Sequence, residues 1–193
     1  MRRAALILIL AVAGCASAPR LPEPVDWSQR KAQLLSLQAW RMTGRVAVSV
    51  DGEGASASID WRQAGTTSDL ALSGPLGVGA LRAVLDPSGL SLEDGSGNSV
   101  RGDDAARVLT ERLGTEIPLA ALRYWVLGVP APGMPAEETA GPDGRLVRIE
   151  QAGWQVGIDR YSSAVAGGLP ARLDATRDGA RLRLVVSRWE VGP

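Results

Sequence analysis

From Arg45 onward, apolar residues alternate with polar ones in short runs separated by Gly, Pro, Asn and Asp. This period of two confines the chain to a mainly β, antiparallel fold. In residues 45–50, Val46, Val48 and Val50 alternate with Arg45, Ala47 and Ser49. Asp51, Gly52, Glu53 and Gly54 then supply a turn, and Ala55, Ala57, Ile59 and Trp61 form the apolar face of the returning strand. Further strands are predicted around Leu70 and Leu72, over residues 78–85 and 89–93, and briefly after Asn98. Others are predicted over residues 146–151, 154–161, 169–175 and 181–189. The last is the clearest, with Leu182, Leu184 and Val186 alternating against Arg181, Arg183 and Ser187. About ten or eleven strands result, with no repeat of fixed period. A sheet of that size tends to curl. The expected fold is a mainly β barrel or part-barrel, whose apolar concave face with a few short helices across its mouth makes a hydrophobic cavity.

Three helical stretches interrupt the alternation. Asp26 can cap a helix carrying Trp27, Leu34 and Leu37 on one face. Asp103 can cap a second, carrying Ala106, Val108, Leu109 and Leu113 and stopped by Gly114. Pro118 opens a third, from Leu119 to Leu127, with Gly128 as its stop. Residues 129–145 are rich in Pro and Gly without an apolar period and read as a long loop.

Composition removes most catalytic chemistry. The chain has no His, no Phe and one Cys, and Lys31 is its sole Lys, so Arg supplies nearly all of its 21 basic residues. Zinc sites built on His, Ser-His-Asp and Cys-His catalysis, and disulfide frameworks are therefore absent. Lys31 lies in no P-loop or Ser-Lys motif. Asp103 and Asp104 are adjacent, so on a helix they point apart and suit a helix start better than a catalytic pair. Gly77-Val78-Gly79 begins like a nucleotide loop, but Arg82 stands where the third Gly belongs. No catalytic residue, metal or cofactor is expected. Twenty-one acidic residues balance the basic ones at a pI near 6.3, so no nucleic-acid face is advertised. The class that remains is a binding protein.

The first residues read as a targeting segment. Met1-Arg2-Arg3 is a positive n-region, and the apolar run in residues 4–13 is too short for a bilayer span, which needs roughly 20 residues. Ala16-Ser17-Ala18 offers an ordinary small-x-small cleavage site. Val12-Ala13-Gly14-Cys15 has instead the form of a bacterial lipobox, which explains why the sole Cys sits here. On that reading residues 1–14 are a lipoprotein signal peptide and Cys15 is the acylated mature N-terminus. Residues 15–25 are then a Pro-rich tether and residues 26–193 the binding domain. Ala16, rather than Asp, follows the Cys, which directs the chain to the outer membrane.

Two features bear on binding within the domain. Trp61, Trp125 and Trp154 fall on or beside apolar faces in a chain with six Trp. With Leu72 they can line a hydrophobic pocket, or they can be plain core, and the two readings are compatible. Gly74-Pro75-Leu76-Gly77 is a turn whose tip carries a Leu instead of a polar residue. Leu76 can fold back onto the core, or it can dip into a bilayer, where a buried Leu contributes roughly 1.5–3 kcal/mol.

These residues also carry a resemblance. Gly44-Arg45-Val46-Ala47-Val48, Ile59-Asp60-Trp61-Arg62-Gln63 and Leu72-Ser73-Gly74-Pro75-Leu76-Gly77 belong to it. So do Ile117-Pro118-Leu119, the helix Leu122-Arg123-Tyr124-Trp125-Val126-Leu127-Gly128, Gly153-Trp154-Gln155-Val156, Tyr161 and Leu169-Pro170. Leu182-Arg183-Leu184-Val185-Val186 and Trp189 close the series. From Trp27 to Trp189 the chain resembles the outer-membrane lipoprotein receptor family LolB. The resemblance implies an incomplete antiparallel β-barrel (a half-barrel) with a few short helices covering a hydrophobic acyl-chain cavity, which accepts acylated lipoproteins from the periplasmic carrier LolA. It also implies that the protein, lipid-anchored on the periplasmic face of the outer membrane, places that cargo in the inner leaflet. No nucleotide or metal is implied, and outer-membrane lipids are the remaining partner of an expected monomer. Carried over by position, the apolar loop residue of the membrane step is Leu76, framed by Gly74, Pro75 and Gly77. A scaffolding lipoprotein without lipid transfer is the alternative, separable by whether the chain binds lipid.

Overall fold

The computed structural model describes residues 26–74, 79–163 and 168–192. Cys15 with the leader and tether, and Pro75, Leu76 and Gly77, lie outside the described residues. Helix α1 (Trp27–Leu35) is followed by six strands: β1 (Ala39–Val50), β2 (Glu53–Ala64), β3 (Thr67–Ser73), β4 (Leu81–Asp86), β5 (Gly89–Asp94) and β6 (Ser99–Arg101). Helices α2 (Gly102–Leu113) and α3 (Leu119–Trp125) come next. The chain finishes with β7 (Ala136–Ala140), β8 (Leu146–Gln151), β9 (Trp154–Tyr161), β10 (Pro170–Arg177) and β11 (Ala180–Val191).

All eleven strands form one antiparallel sheet in the order β6-β5-β4-β3-β2-β1-β11-β10-β9-β8-β7. The first and last strands therefore meet at its centre, and the chain winds outward from them by consecutive hairpins. The sheet stays open, with β6 and β7 as its two edges, as the incomplete barrel requires. Both edges are poor templates for further pairing. β6 has three residues, all exposed, and β7 presents Glu137 and Glu138. Register shifts between Thr43 and Gly44, between Pro170 and Leu173, and between Thr139 and Ala140 bend individual strands.

The alternation predicted from residue 45 is present, and it begins earlier, because Trp40 and Met42 already face the buried side of β1. Two expectations are corrected. Residues 129–145 are not wholly loop: β7 pairs with β8 there, and as an exposed edge strand it needs no apolar alternation. Asp103 is not the cap of α2. Arg101 occupies that position with no side-chain hydrogen bond, and Asp103 and Asp104 sit in the first turn, where the helix dipole favours them. Gly114 does end α2, in the left-handed conformation. Asp26 caps α1 as expected, accepting hydrogen bonds from the Ser28 and Gln29 amides.

Candidate functional site

The three helices lie against the inner face, and they cover it unequally. α3 packs on the C-terminal strands, where the Trp125 and Trp154 rings stand 6.4 Å apart and tilted. Gln151 at the end of β8 binds this region together. It accepts from Trp125 Nε1 and from the Ala131 amide, both at 2.8 Å, and donates to the Ala131 carbonyl at 2.9 Å. Around it Leu146, Ile149, Val156, Ile158, Leu173 and Ala175 are all buried. The Tyr161 hydroxyl donates to the Leu146 carbonyl at 2.7 Å. Burial pushes its phenol up, and the Arg30 and Arg145 guanidiniums lie against the ring. α1 is fastened to the same side. Arg30 donates to the Gly168 carbonyl, and Trp27 and Lys31 both bond the Glu138 carboxylate of β7.

α2 covers the other half less completely. Its buried residues, Ala105 and Leu109, face β5 and β6, and its C-terminal end reaches β1, where Gly114 lies against Val50. Between these two supports the inner residues of the sheet are only half-buried. Val46, Val48 and Val50 of β1, Leu72 of β3, Leu81 of β4 and Val186 of β11 border the core without being enclosed by it. Ala57 is half-buried and Ala55 is exposed. On the helix side Val108 and Leu113 are in the same condition. The result is an aliphatic strip, with no ionisable side chain among the residues named, lying between α2 and the central strands. Such a surface attracts hydrocarbon and nothing polar.

The predicted cavity residues divide between these regions. Leu72 lies on the strip. Trp61, Trp125 and Trp154 are each only 1% exposed and sit inside the core. Trp61 and Trp40 pack at 5.3 Å, and Trp40 and Trp189 at 5.4 Å edge-on, forming an aromatic cluster at the opposite end of the sheet from Trp154. The indoles of Trp27, Trp125 and Trp189 each donate a hydrogen bond, whereas those of Trp61 and Trp154 are buried without an acceptor among the described residues. Gly74, half-buried, directly follows β3. In the sequence Val46, Val48, Val50 and Val186 stand out as apolar strand faces, and Leu81 falls in a predicted strand, but none of them reads as a binding residue. Alternation marks them as inward-facing, but only the short reach of α2 leaves them uncovered.

Comparisons with known proteins bear on the family and the fold. The family described as Outer membrane lipoprotein LolB matches residues 38–189. An outer-membrane lipoprotein LolB of Halorhodospira halophila is 37% identical over 157 residues, 79% of this chain and 76% of that protein. The LolB of Pseudomonas aeruginosa strain LESB58 is 35% identical over 161 residues, 82% of this chain and 78% of its own length. In three dimensions the chain is similar, with a TM-score of 0.54 at 10% identity, to a domain from Vibrio parahaemolyticus assigned to outer membrane lipoprotein sorting. The match covers 86% of this chain and 90% of that one, and it bears on the fold alone.

Proposed function

Since the chain belongs to the outer-membrane lipoprotein LolB family, we propose that it is an outer-membrane receptor that holds the acyl chains of lipoproteins on the aliphatic strip between α2 and the central strands. The observation that carries this reading is the strip itself: Val46, Val48, Val50, Leu72, Leu81 and Val186 are inward-facing yet half-open. Trp61, Trp125 and Trp154 form the rigid floor and end wall against which that strip is set. The cargo arrives from the periplasmic carrier LolA and leaves for the inner leaflet, with Cys15 as the acylated anchor. Leu76, framed by Gly74, Pro75 and Gly77, enters the bilayer in the last step. Transfer needs no nucleotide: it runs downhill if the strip holds acyl chains more tightly than the carrier does and the bilayer holds them more tightly still.

Val48→Asp places a charge where hydrocarbon would lie. The full-length chain carrying it should take up acylated lipoprotein about a hundredfold less well, the cost of a charge in hydrocarbon, while its urea midpoint stays near wild type. Uptake is read by co-purification of cargo from the loaded carrier. Undiminished uptake would remove the strip from the mechanism, and a wild-type chain that never acquires cargo would leave the scaffolding reading in its place.

A further inference from the structure

The outer face of the sheet is as unequal as the inner one, in charge instead of cover. On its N-terminal part each Arg in an ion pair has at least one carboxylate to itself: Arg41 bonds Asp60 through two nitrogens and lies 3.9 Å from Glu190 as well, and Arg82 bonds Asp69 through two nitrogens at 2.8 and 2.9 Å. On β9, β10, β11 and β1 the balance fails. Arg172, Arg181 and Arg183 all converge on Asp174, at 3.5, 2.8 and 3.0 Å, with Asp159 shared by Arg172 at 3.1 Å. Arg45, Arg160 and Arg188 are exposed and have no ion-pair partner among the described residues.

The register places these residues together. Arg160, Arg172, Val185, Arg45 and Ser58 form one row across β9, β10, β11, β1 and β2, and the row continues to Ser73 at the end of β3. In the next row Asp174, Arg183, Ala47 and Ser56 are neighbours. Arg188 pairs with Thr43, two residues along β1 from Arg45. From Arg160 to Arg45 is three strand spacings, about 14 Å. On these four strands seven guanidiniums, Arg41 included, thus face three carboxylates, Asp159, Asp174 and Glu190, with Asp60 of β2 ion-paired to Arg41.

We infer that this outer face of β9, β10, β11 and β1 is a docking surface for the anionic phospholipid headgroups of the membrane on which the protein resides. Two observations favour headgroups over an acidic protein. Stable protein interfaces need a central apolar or aromatic anchor, and Ala47, Ser56, Ser58 and Val185 supply none. Guanidinium forks match phosphate oxygens two at a time, and every cation in the patch is Arg. Each such charge near an anionic bilayer strengthens binding about fivefold. Docking would fix how the receptor stands on its membrane, a property that the acyl anchor alone leaves free.

The inference rests on residence at the outer membrane, and its test separates the two. The full-length protein carries Ser56→Cys, and the acylation expected of Cys15 leaves one reactive thiol, which label stoichiometry verifies. A fluorophore there, or on Ala106→Cys of exposed α2 as the control, is read in proteoliposomes containing a headgroup-linked quencher. With phosphatidylglycerol present, quenching at position 56 should exceed that at position 106. It should fall about threefold or more in the triple variant Arg45→Gln, Arg160→Gln, Arg188→Gln, in purely zwitterionic vesicles and in high salt. None of the three arginines has an ion-pair partner among the described residues, so the triple variant should unfold at the wild-type urea midpoint. Equal quenching in both lipids, or in both proteins, overturns the inference. So does a triple variant that loses cargo uptake from the carrier while keeping its lipid proximity, since the patch would then be a protein site. Failure of wild-type cargo uptake bears only on the receptor reading.

Discussion

The strands around β8, β9 and β10 and those around β1, β3 and β4 use the same alternation, yet one set is sealed and the other is not. Val156 and Ile149 are fully buried under α3, whereas Val48 and Val46 are half-open beside α2. The difference lies in what lies over the sheet. α3 delivers Trp125 directly onto Trp154 and Gln151. α2 places Ala105 and Leu109 over the β5 edge and approaches the central strand β1 less extensively, at its C-terminal end where Gly114 meets Val50. A strand pattern fixes which side chains face inward, and the helix above decides whether they are core or binding surface.

The largest test strikes the sealed half. Trp125→Ala removes a fully buried indole and one of the two donors to the Gln151 side-chain carbonyl, so it should cost about 3–5 kcal/mol in urea unfolding. A loss below about 1 kcal/mol would mean that α3 is no firmer a cover than α2, and the contrast would collapse.

A matched pair sharpens the contrast at smaller scale. Val→Thr swaps a methyl for a hydroxyl at nearly constant shape. At Val156 the hydroxyl is sealed, and the variant should lose about 1–3 kcal/mol. At Val48 water still reaches the side chain, and the loss should stay within about 0.5 kcal/mol. Urea midpoints of the two variants, compared with wild type, give the answer directly. Equal losses would place Val48 in a closed core and leave the strip without an opening.

Much of this was legible beforehand because it depends on local patterning. β8 and β9 begin and end where alternation and turn residues put them, and Asp26 and Gly114 mark helix ends by their chemistry. Edge strand β7 was not legible, since a strand exposed on both faces has no apolar period to detect. Nor was the Gln151 node, because a Gln looks the same on the surface as it does bonded to Trp125 and Ala131 twenty or more residues away. The strip was half legible. Its residues show in the alternation, but their exposure depends on how far α2 reaches, which is a tertiary property. The basic face needs the register of six strands, and no single stretch of sequence contains it.

The smallest effect concerns charge on the outer faces of the same two halves. The hydrogen bond from Arg82 holds the Asp69 carboxyl below the usual range. Burial pushes the Asp174 carboxyl up, but hydrogen bonds from Arg181 and Arg183 outweigh it and hold that group low as well. Both are therefore more acidic in the folded chain than in the unfolded one. Each stabilises the fold above the unfolded value, near pH 4, and that contribution disappears as pH falls through the lower folded value. Asp69→Asn breaks one exposed pair, so at neutral pH it should cost close to nothing. Asp174→Asn leaves three guanidiniums crowded with only Asp159 nearby, so its loss should be the larger, though still about 1 kcal/mol or less. Urea midpoints followed from pH 7 to acid should show the Asp174→Asn curve meeting the wild-type curve once the native carboxyl is protonated. If the two curves stay parallel through that range, Asp174 does not anchor the arginines, and the basic face owes its arrangement to strand register alone.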